Sequence, residues 1–135
     1  MPRVGEALLE PTDEERKVLR DRLLDIGLRT VASLASVLRD LGIERVRFIE
    51  YFDGYNTEVL YGGTWVTPVD EILRICDILH DVLTELTSLD LVKPSRREDG
   101  VEVYELRISD VHVLTIEVMD IRDYEKLMQR LRESL

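Results

Sequence analysis

The sequence predicts an α+β fold, an α/β sandwich in which an antiparallel sheet of about five strands packs against a long central helix and terminal helices. Apolar residues recur at helical spacing over residues 69–86, and several runs rich in β-branched and aromatic residues alternate like strands. The order is helices, a strand pair, a helix, two or three strands and a helix. With 135 residues the chain fits one domain, residues 12–135, which follows a flexible arm over residues 1–11.

The first part of this domain carries helix signals. Thr12 is placed as the N-cap of an additional N-terminal helix, residues 12–27, because three acidic residues follow it and favour the positive end of a helix dipole. Gly27 interrupts this pattern, and a second helix follows from about Arg29 and ends at Gly42. The glycine is also compatible with a kink inside one long helix.

Two strands come next. Arg45–Phe52 and Thr57–Val66 have strand composition, and the turn residues Asp53–Asn56 separate them. Gly62-Gly63 falls inside the second run, where it indicates a bulge or a close approach of another backbone.

The rest of the chain is read in the same way. Thr67-Pro68 is expected to begin the central helix, with Thr as N-cap and Pro at the first helical position. Leu91–Lys93 is compatible with a short strand, and Val101–Ile108 and Val111–Val118 form two more. The last of these is apolar on both sides, as expected for a strand that helices cover on both faces. Ile121–Leu135 closes the chain as an amphipathic helix.

The central helix is the best clue to function. Its apolar residues spread over about 160° of the helix circumference, whereas a helix on one sheet needs about 100°. Either another element of this chain, such as the N-terminal helices, or a second subunit must cover the excess. For the second case the sequence predicts a dimer interface made of Ile72, Ile75, Ile78, Leu79, Val82 and Leu86.

Composition narrows the classes of partner. The net charge of −10 repels phosphate backbones, so no nucleic-acid binding is expected. No apolar run approaches the ~20 residues that cross a bilayer, and the first residues lack a signal-peptide pattern, so we expect a cytoplasmic protein without membrane insertion. A single Asn and a single Gln among many charged residues indicate a thermophilic source.

No residue pattern predicts a catalytic, cofactor-binding or metal site, and the chain is expected not to be an enzyme. Cys76 and His80 are four residues apart on one helix, but they supply only half of a zinc site, which usually needs four ligands. The chain contains neither phosphate-binding glycine motif. The remaining enzymatic hypothesis places carboxylate chemistry near Glu50 and Asp53.

A second hypothesis comes from the polar segment Lys93–Gly100. A helix, a basic turn with Arg96 and Arg97, and a following strand resemble the end of a winged-helix transcription regulator. Against this, the helix that would enter the DNA groove is acidic, and the preceding strand pair has no place in such a fold. Arg96 and Arg97 also mark a candidate surface for a protein partner.

The whole order of elements, over residues 29–135, resembles the roadblock/LC7 family of profilin-like architecture. The specific points are the Phe52-Asp53-Gly54 turn, the Thr67-Pro68 helix start and the Val113–Val118 strand before a final helix. The resemblance implies a non-enzymatic dimeric module that pairs through the central helix and a sheet edge, and that serves as a scaffold or regulator, often of a small Ras-like GTPase. It leaves open the partner's identity, a homo- or hetero-oligomer, and any role of a nucleotide.

Overall fold

The computed structural model describes residues 10–135, which form three helices and six strands. In chain order these are α1 (Asp13–Asp40), β1 (Arg45–Tyr51), β2 (Gly54–Tyr61), β3 (Thr64–Val66), α2 (Asp70–Ser88), β4 (Ser95–Arg96), β5 (Glu102–Ile108), β6 (Val111–Asp120) and α3 (Ile121–Glu133). The predicted N-terminal arm lies almost entirely outside the described residues.

The six strands form one mixed sheet in the order β3-β2-β1-β6-β5-β4. Neighbouring strands are antiparallel except β1 and β6, which run parallel with Arg45 beside Thr115. The α+β class is therefore confirmed, whereas the expected antiparallel sheet of about five strands is matched only roughly, because the sheet has six strands and one parallel pair. Local patterns locate strands, whereas the parallel pair joins the first and last strands of the chain and depends on long-range packing.

Helices cover both faces of the sheet. On one face, α1 and α2 lie side by side and pack on Phe48, Leu114 and Ile116 of the central strands. On the opposite face, α3 packs through Tyr124 and Leu127 on a smaller cluster of buried side chains, namely Ile49, Val101, Val103 and Met119. The apolar character of both faces of β6 is explained by this arrangement, as expected for a central strand.

The N-terminal segment is one helix of 28 residues rather than two. Thr12 caps it as predicted, since its hydroxyl oxygen accepts a hydrogen bond from the backbone N–H of Glu15 at 3.2 Å. Gly27 does not interrupt the helix but lies buried against α2. Among the described residues, no helix combines the length and the apolar character that a membrane crossing requires.

The end of α1 follows the prediction. Gly42 adopts the left-handed φ of 87°, and the N–H of Ile43 reaches back to the carbonyl of Leu38 at 2.9 Å. Ile43 is fully buried, which supplies the apolar contact of this C-cap motif.

Both turns that shape the first hairpins differ from the prediction. The β1–β2 turn is only Phe52-Asp53, because Tyr51 already pairs with Gly54. Gly62-Gly63 is neither a bulge nor a close approach but a second two-residue turn, with φ of 59° and 79°. Positive φ at both central positions is the geometry of a type I′ turn, so the pair of glycines splits the predicted strand into β2 and β3.

The start of the central helix also differs from the prediction. The N-cap is Val69 instead of Thr67, and the chain turns into α2 through Asp70, whose φ is 51°. The strand expected at Leu91–Lys93 is absent, because the N–H of Leu91 bonds to the carbonyl of Leu86 at 2.9 Å and so completes the helix end. The short strand forms later, at Ser95–Arg96.

Candidate interaction surfaces

The predicted interface residues of α2 differ in exposure. Leu79 and Leu86 are 0% and 3% exposed within this single chain. Three others are partly buried against the same core, namely Ile72, Ile75 and Val82, while Ile78 stays 45% exposed. Thus α1 and the sheet cover much of the wide apolar face of α2. This is the first of the two alternatives, in which another element of the same chain covers the excess. Pairing of two copies through these six residues stays a prediction.

An apolar surface remains where α1 runs beside α2. We call it the α1–α2 stripe; it consists of the exposed side chains Leu23 and Ile26 of α1, which border the neighbouring helix. They line a groove of about 260 Å³ between the two helices, together with Val82 and Leu86 of α2. Exposed apolar side chains that lie next to each other mark protein interaction sites more often than isolated ones.

A second surface is the outer edge of β5. The strand β4 covers only its beginning, where Ser95 pairs with Val103 and Arg96 with Glu102. The N–H of Arg97 also bonds to the carbonyl of Val101 at 2.9 Å, so the backbone of Val101 faces outward. Because backbone groups alternate in direction along a strand, those of Glu105 and Arg107 face outward too. Within residues 10–135, no strand pairs with them on that side.

The surroundings of this edge are half charged and half apolar. The side chains of Glu105 and Arg107 are 55% and 57% exposed and lie 3.8 Å apart. The neighbouring groove, about 490 Å³, runs between the edge and α1 and includes the exposed side chains Leu28 and Ile108. The β5 edge therefore offers free backbone hydrogen-bonding groups beside an apolar groove.

The two arginines of the predicted wing have different environments. Arg97 donates to the carboxylate of Asp99 at 2.8 Å and to that of Glu117 at 3.1 Å. The hydrogen bond with Asp99, followed by the charges of Glu117 and Asp99, raises the pKa of Arg97 against the effect of burial. The same hydrogen bond holds the pKa of Asp99 below its usual value. Arg96 is exposed and lies 3.5 Å from Glu102. Arg96 is thus the more accessible of the two arginines to a partner.

Sequence reasoning missed a buried ionic network on the α3 face of the sheet. Arg47 and Glu117 pair in register on β1 and β6, and both are nearly inaccessible to solvent. The guanidinium of Arg47 lies 3.3 Å from Glu58 and 3.9 Å from the centre of the Trp65 ring. Tyr124 of α3 donates to Glu58 at 3.0 Å. The available signal was a charged residue flanked on both sides by apolar residues in each strand, Arg47 in β1 and Glu117 in β6.

Cys76 and His80 lie on the same helix but in different surroundings. Cys76 is fully buried, and this burial, together with the charge of Asp77, raises the pKa of its thiol to about 12. The ring of His80 instead stacks on Tyr55 and approaches the carboxylate of Glu50 at 3.3 Å. No cluster of three metal-binding side chains occurs in the described part of the chain.

Glu50 and His80 line a cleft of about 280 Å³ between α2 and the sheet. Its other polar groups include Thr87 and Tyr104, whose hydroxyls hydrogen bond at 2.8 Å. Burial, and then the charges of Glu102 and Glu50, raise the pKa of Tyr104 against the opposing hydrogen bond from Thr87. A carboxylate paired with an imidazole orients the ring. The side chain of Asp53 does not line this cleft, so the predicted pair of carboxylates is not brought together here.

Comparisons with known proteins gave no match to a family model, to a curated protein or to a solved structure.

Proposed function

We propose that the chain is a non-enzymatic module that forms a homodimer and binds other proteins. The observation that carries the proposal is the open edge of β5, where free backbone groups lie between a pair of opposite charges and an apolar groove. An exposed edge invites pairing with another strand, and a second copy of the same edge is always present at equal concentration.

The edge is complementary to itself. In an antiparallel pair with its twofold axis at Leu106, Glu105 of one subunit stands opposite the partner subunit's Arg107, and the reverse holds across the axis. The backbone groups of both residues face outward, so each such pair exchanges two hydrogen bonds. Opposite charges directly across two strands add roughly 0.2–1 kcal/mol each.

Apolar contacts complete this interface. Side chains alternate along β5, so Leu106 and Ile108 lie on the face that α1 covers, next to Leu28. Pairing of two edges brings these groups and their copies together and removes the exposed parts of Leu28 and Ile108 from water. Each square ångström of apolar surface buried in this way contributes roughly 25 cal/mol.

The test is a charge exchange across the axis. Glu105→Arg places two arginines opposite each other, and Arg107→Glu places two glutamates there, so each variant should shift the dimer towards monomer in size-exclusion chromatography with light scattering. The double variant Glu105→Arg/Arg107→Glu restores opposite charges and should restore the dimer. Glu125→Arg on α3 is the matched control, since Glu125 is exposed and far from the edge in sequence.

Two results would refute this proposal. One is a wild-type protein that is monomeric at micromolar concentration. The other is a dimer that none of the edge variants weakens. That result would favour the interface predicted on α2, and Ile78→Glu would then be the variant to examine.

The proposal includes a roadblock-like identity. The observed order of a helix, a hairpin, a central helix, further strands and a final helix supports the resemblance, although α1 is longer than the resemblance covers. In that family the module serves as a scaffold or regulator of a small Ras-like GTPase. In this chain the α1–α2 stripe is the surface left for such a partner once the β5 edges have paired. A GTPase retained by the wild type and lost with Leu23→Glu would support this role; retention by both would exclude the stripe.

A further inference from the structure

The cleft between α2 and the sheet, which holds Glu50 and His80, is separate from both candidate interaction surfaces. We call it the α2–sheet cleft; its volume is about 280 Å³. The residues that line it are different from those that line the groove beside the β5 edge and the groove between α1 and α2. A ligand in this cleft is therefore independent of the proposed dimer.

The inner part of the cleft is apolar. Phe48 of β1 and Val118 of β6 pair in register, so their side chains lie on the same face of the sheet, and Leu83 of α2 packs on this face. Phe48 and Leu83 are both buried. An apolar cavity of roughly 150 Å³ admits a benzene ring. The α2–sheet cleft is larger, so it has room for such a ring together with a polar head group.

Two carboxylates lie on the outer part of the cleft. Glu102 of β5 pairs with Val118 on one side, and Phe48, which shares a face with Glu50, pairs with Val118 on the other. The side chains of Glu50 and Glu102 both line the cleft and stay partly exposed to water. Within residues 10–135, no Lys or Arg lines it.

The polar groups of the cleft offer more acceptors than donors. The Nε2 of His80 lies 3.3 Å from Glu50, and one such hydrogen bond uses only part of a carboxylate, which accepts about four. The hydroxyls of Thr87 and Tyr104 bond to each other at 2.8 Å, and that of Ser88 donates to a backbone carbonyl of its own helix. A ligand that completes these groups must supply donors.

The neighbouring cations leave the cleft negative. Arg96 lies 3.5 Å from Glu102, but its side chain is exposed, and surface pairs of this kind are weak. A neutral imidazole at His80 that donates from Nε2 leaves the charge of Glu50 in place. The charge of −10 on the whole chain adds to the attraction for a cation.

We propose that the α2–sheet cleft binds a small organic cation, a primary ammonium group attached to an apolar body. An ammonium group has three N–H donors and no acceptor, which matches the carboxylates of Glu50 and Glu102. Hydrogen bonds between two charged groups are stronger than neutral ones. The apolar body rests on Phe48, Leu83 and Val118. The module thereby has a site for a small amine in addition to its surfaces for proteins.

The test is an NMR titration of the full chain with phenethylamine as the probe. We expect saturable shifts of the amide resonances of Thr87 and Tyr104. Phenethyl alcohol has the same apolar body without the charge and should bind at least about tenfold more weakly. Hydrocinnamate, an anion, should not bind, and methylamine, which lacks the apolar body, should bind more weakly than phenethylamine.

Three results would overturn the proposal. One is the absence of saturable shifts up to millimolar phenethylamine. Another is equal affinity for phenethylamine and for either phenethyl alcohol or methylamine. The third is a set of shifts confined to the α1–α2 stripe or to the β5 edge.

Variants test the charge of the site. Glu50→Gln keeps an oxygen that accepts a hydrogen bond from His80 but removes the charge, so phenethylamine should bind at least about fivefold more weakly. Glu44→Gln makes the same change at an exposed position outside the cleft and should leave binding unchanged. Equal affinities of these two variants would contradict the role of Glu50.

A further variant tests the sign of the ligand. Arg96→Ala removes the cation that competes for Glu102, so phenethylamine should bind more tightly; weaker binding would contradict recognition by Glu102. Glu105→Arg changes only the β5 edge and should bind phenethylamine like the wild type. A protein that dimerises but does not bind the amine would overturn this proposal and leave the dimer intact.

Discussion

Gly27 of α1 lies against Leu86 of α2 so closely that a Cβ added at residue 27 would stand 2.8 Å from Cδ1 of Leu86. This contact is where the two helices of one sheet face approach each other. Leu86 is itself buried, so its side chain has little space into which it can move. The glycine that breaks the helical pattern in the sequence is therefore the residue that allows α1 and α2 to pack.

The first prediction concerns this contact. Gly27→Val forces Leu86 or the helix itself to move, and overpacking of this kind costs about 1–3 kcal/mol. Urea denaturation should show a lower free energy of unfolding. Ser33→Val, at an exposed position of the same helix, measures the effect of a β-branched residue alone and should cost much less. Equal losses from the two variants would mean that α1 and α2 are not in close contact at Gly27.

The second prediction concerns the alkaline limit of stability. Burial raises the pKa of Cys76 from 9.0 to about 12 in the folded chain, so the folded state binds the thiol proton more tightly than the unfolded state. The stabilisation is complete below pH 9 and is lost as the pH rises towards 12. The free energy of unfolding of the wild type should therefore fall over this range more steeply than that of Cys76→Ala. Parallel curves for the two proteins would show that Cys76 does not titrate differently on unfolding.

The third prediction concerns the buried carboxylate of Glu117. Glu117→Gln removes the charge that both Arg97 and Arg47 face, and a lost charged hydrogen bond costs about 2 kcal/mol. The measurement is the urea midpoint at neutral pH with an unchanged slope. Glu102→Gln is the control, because its partner Arg96 is exposed and such surface pairs contribute less than about 1 kcal/mol. A Glu117→Gln variant as stable as the wild type would make the network energetically neutral.

The fourth prediction concerns the winged-helix alternative. Arg97 is engaged by Asp99 and Glu117, and the exposed Arg96 lies 3.5 Å from Glu102. The chain as a whole carries a charge of −10. Electrophoretic mobility of duplex DNA should not change near physiological salt. A salt-dependent shift that Arg96→Ala abolishes would instead favour the DNA-binding hypothesis.

Much of the fold was accessible from local patterns. The capping of α1 by Thr12, its end at Gly42 and the covered strand β6 all follow from residue types whose preferences act over a few positions. The errors share one cause. Gly27, Gly62-Gly63 and Leu91 each have a local preference that several structures satisfy, and only a distant contact or a paired strand selects among them.

The candidate surfaces were predicted less well. The periodicity of α2 showed that its apolar face is wide, but only the position of α1 shows that Leu79 and Leu86 are covered within the chain. The approach of Glu50 to His80 joins residues from a strand and a helix that are 30 positions apart, and no spacing rule predicts it. Free sheet edges are invisible in the sequence because they depend on where the neighbouring strands end.

By itself the sequence determined the class of fold, the identity of most helices and strands, and the acidic charge of the surface, because these depend on composition and on periodicities of two and 3.6 residues. Tertiary structure alone decided that β1 and β6 pair in parallel, that α1 shields α2, and that the β5 edge at Glu105 has no neighbouring strand within residues 10–135. Those features arise from contacts between residues far apart in the chain, where hydrophobic burial and strand pairing choose one arrangement among several that local preferences allow.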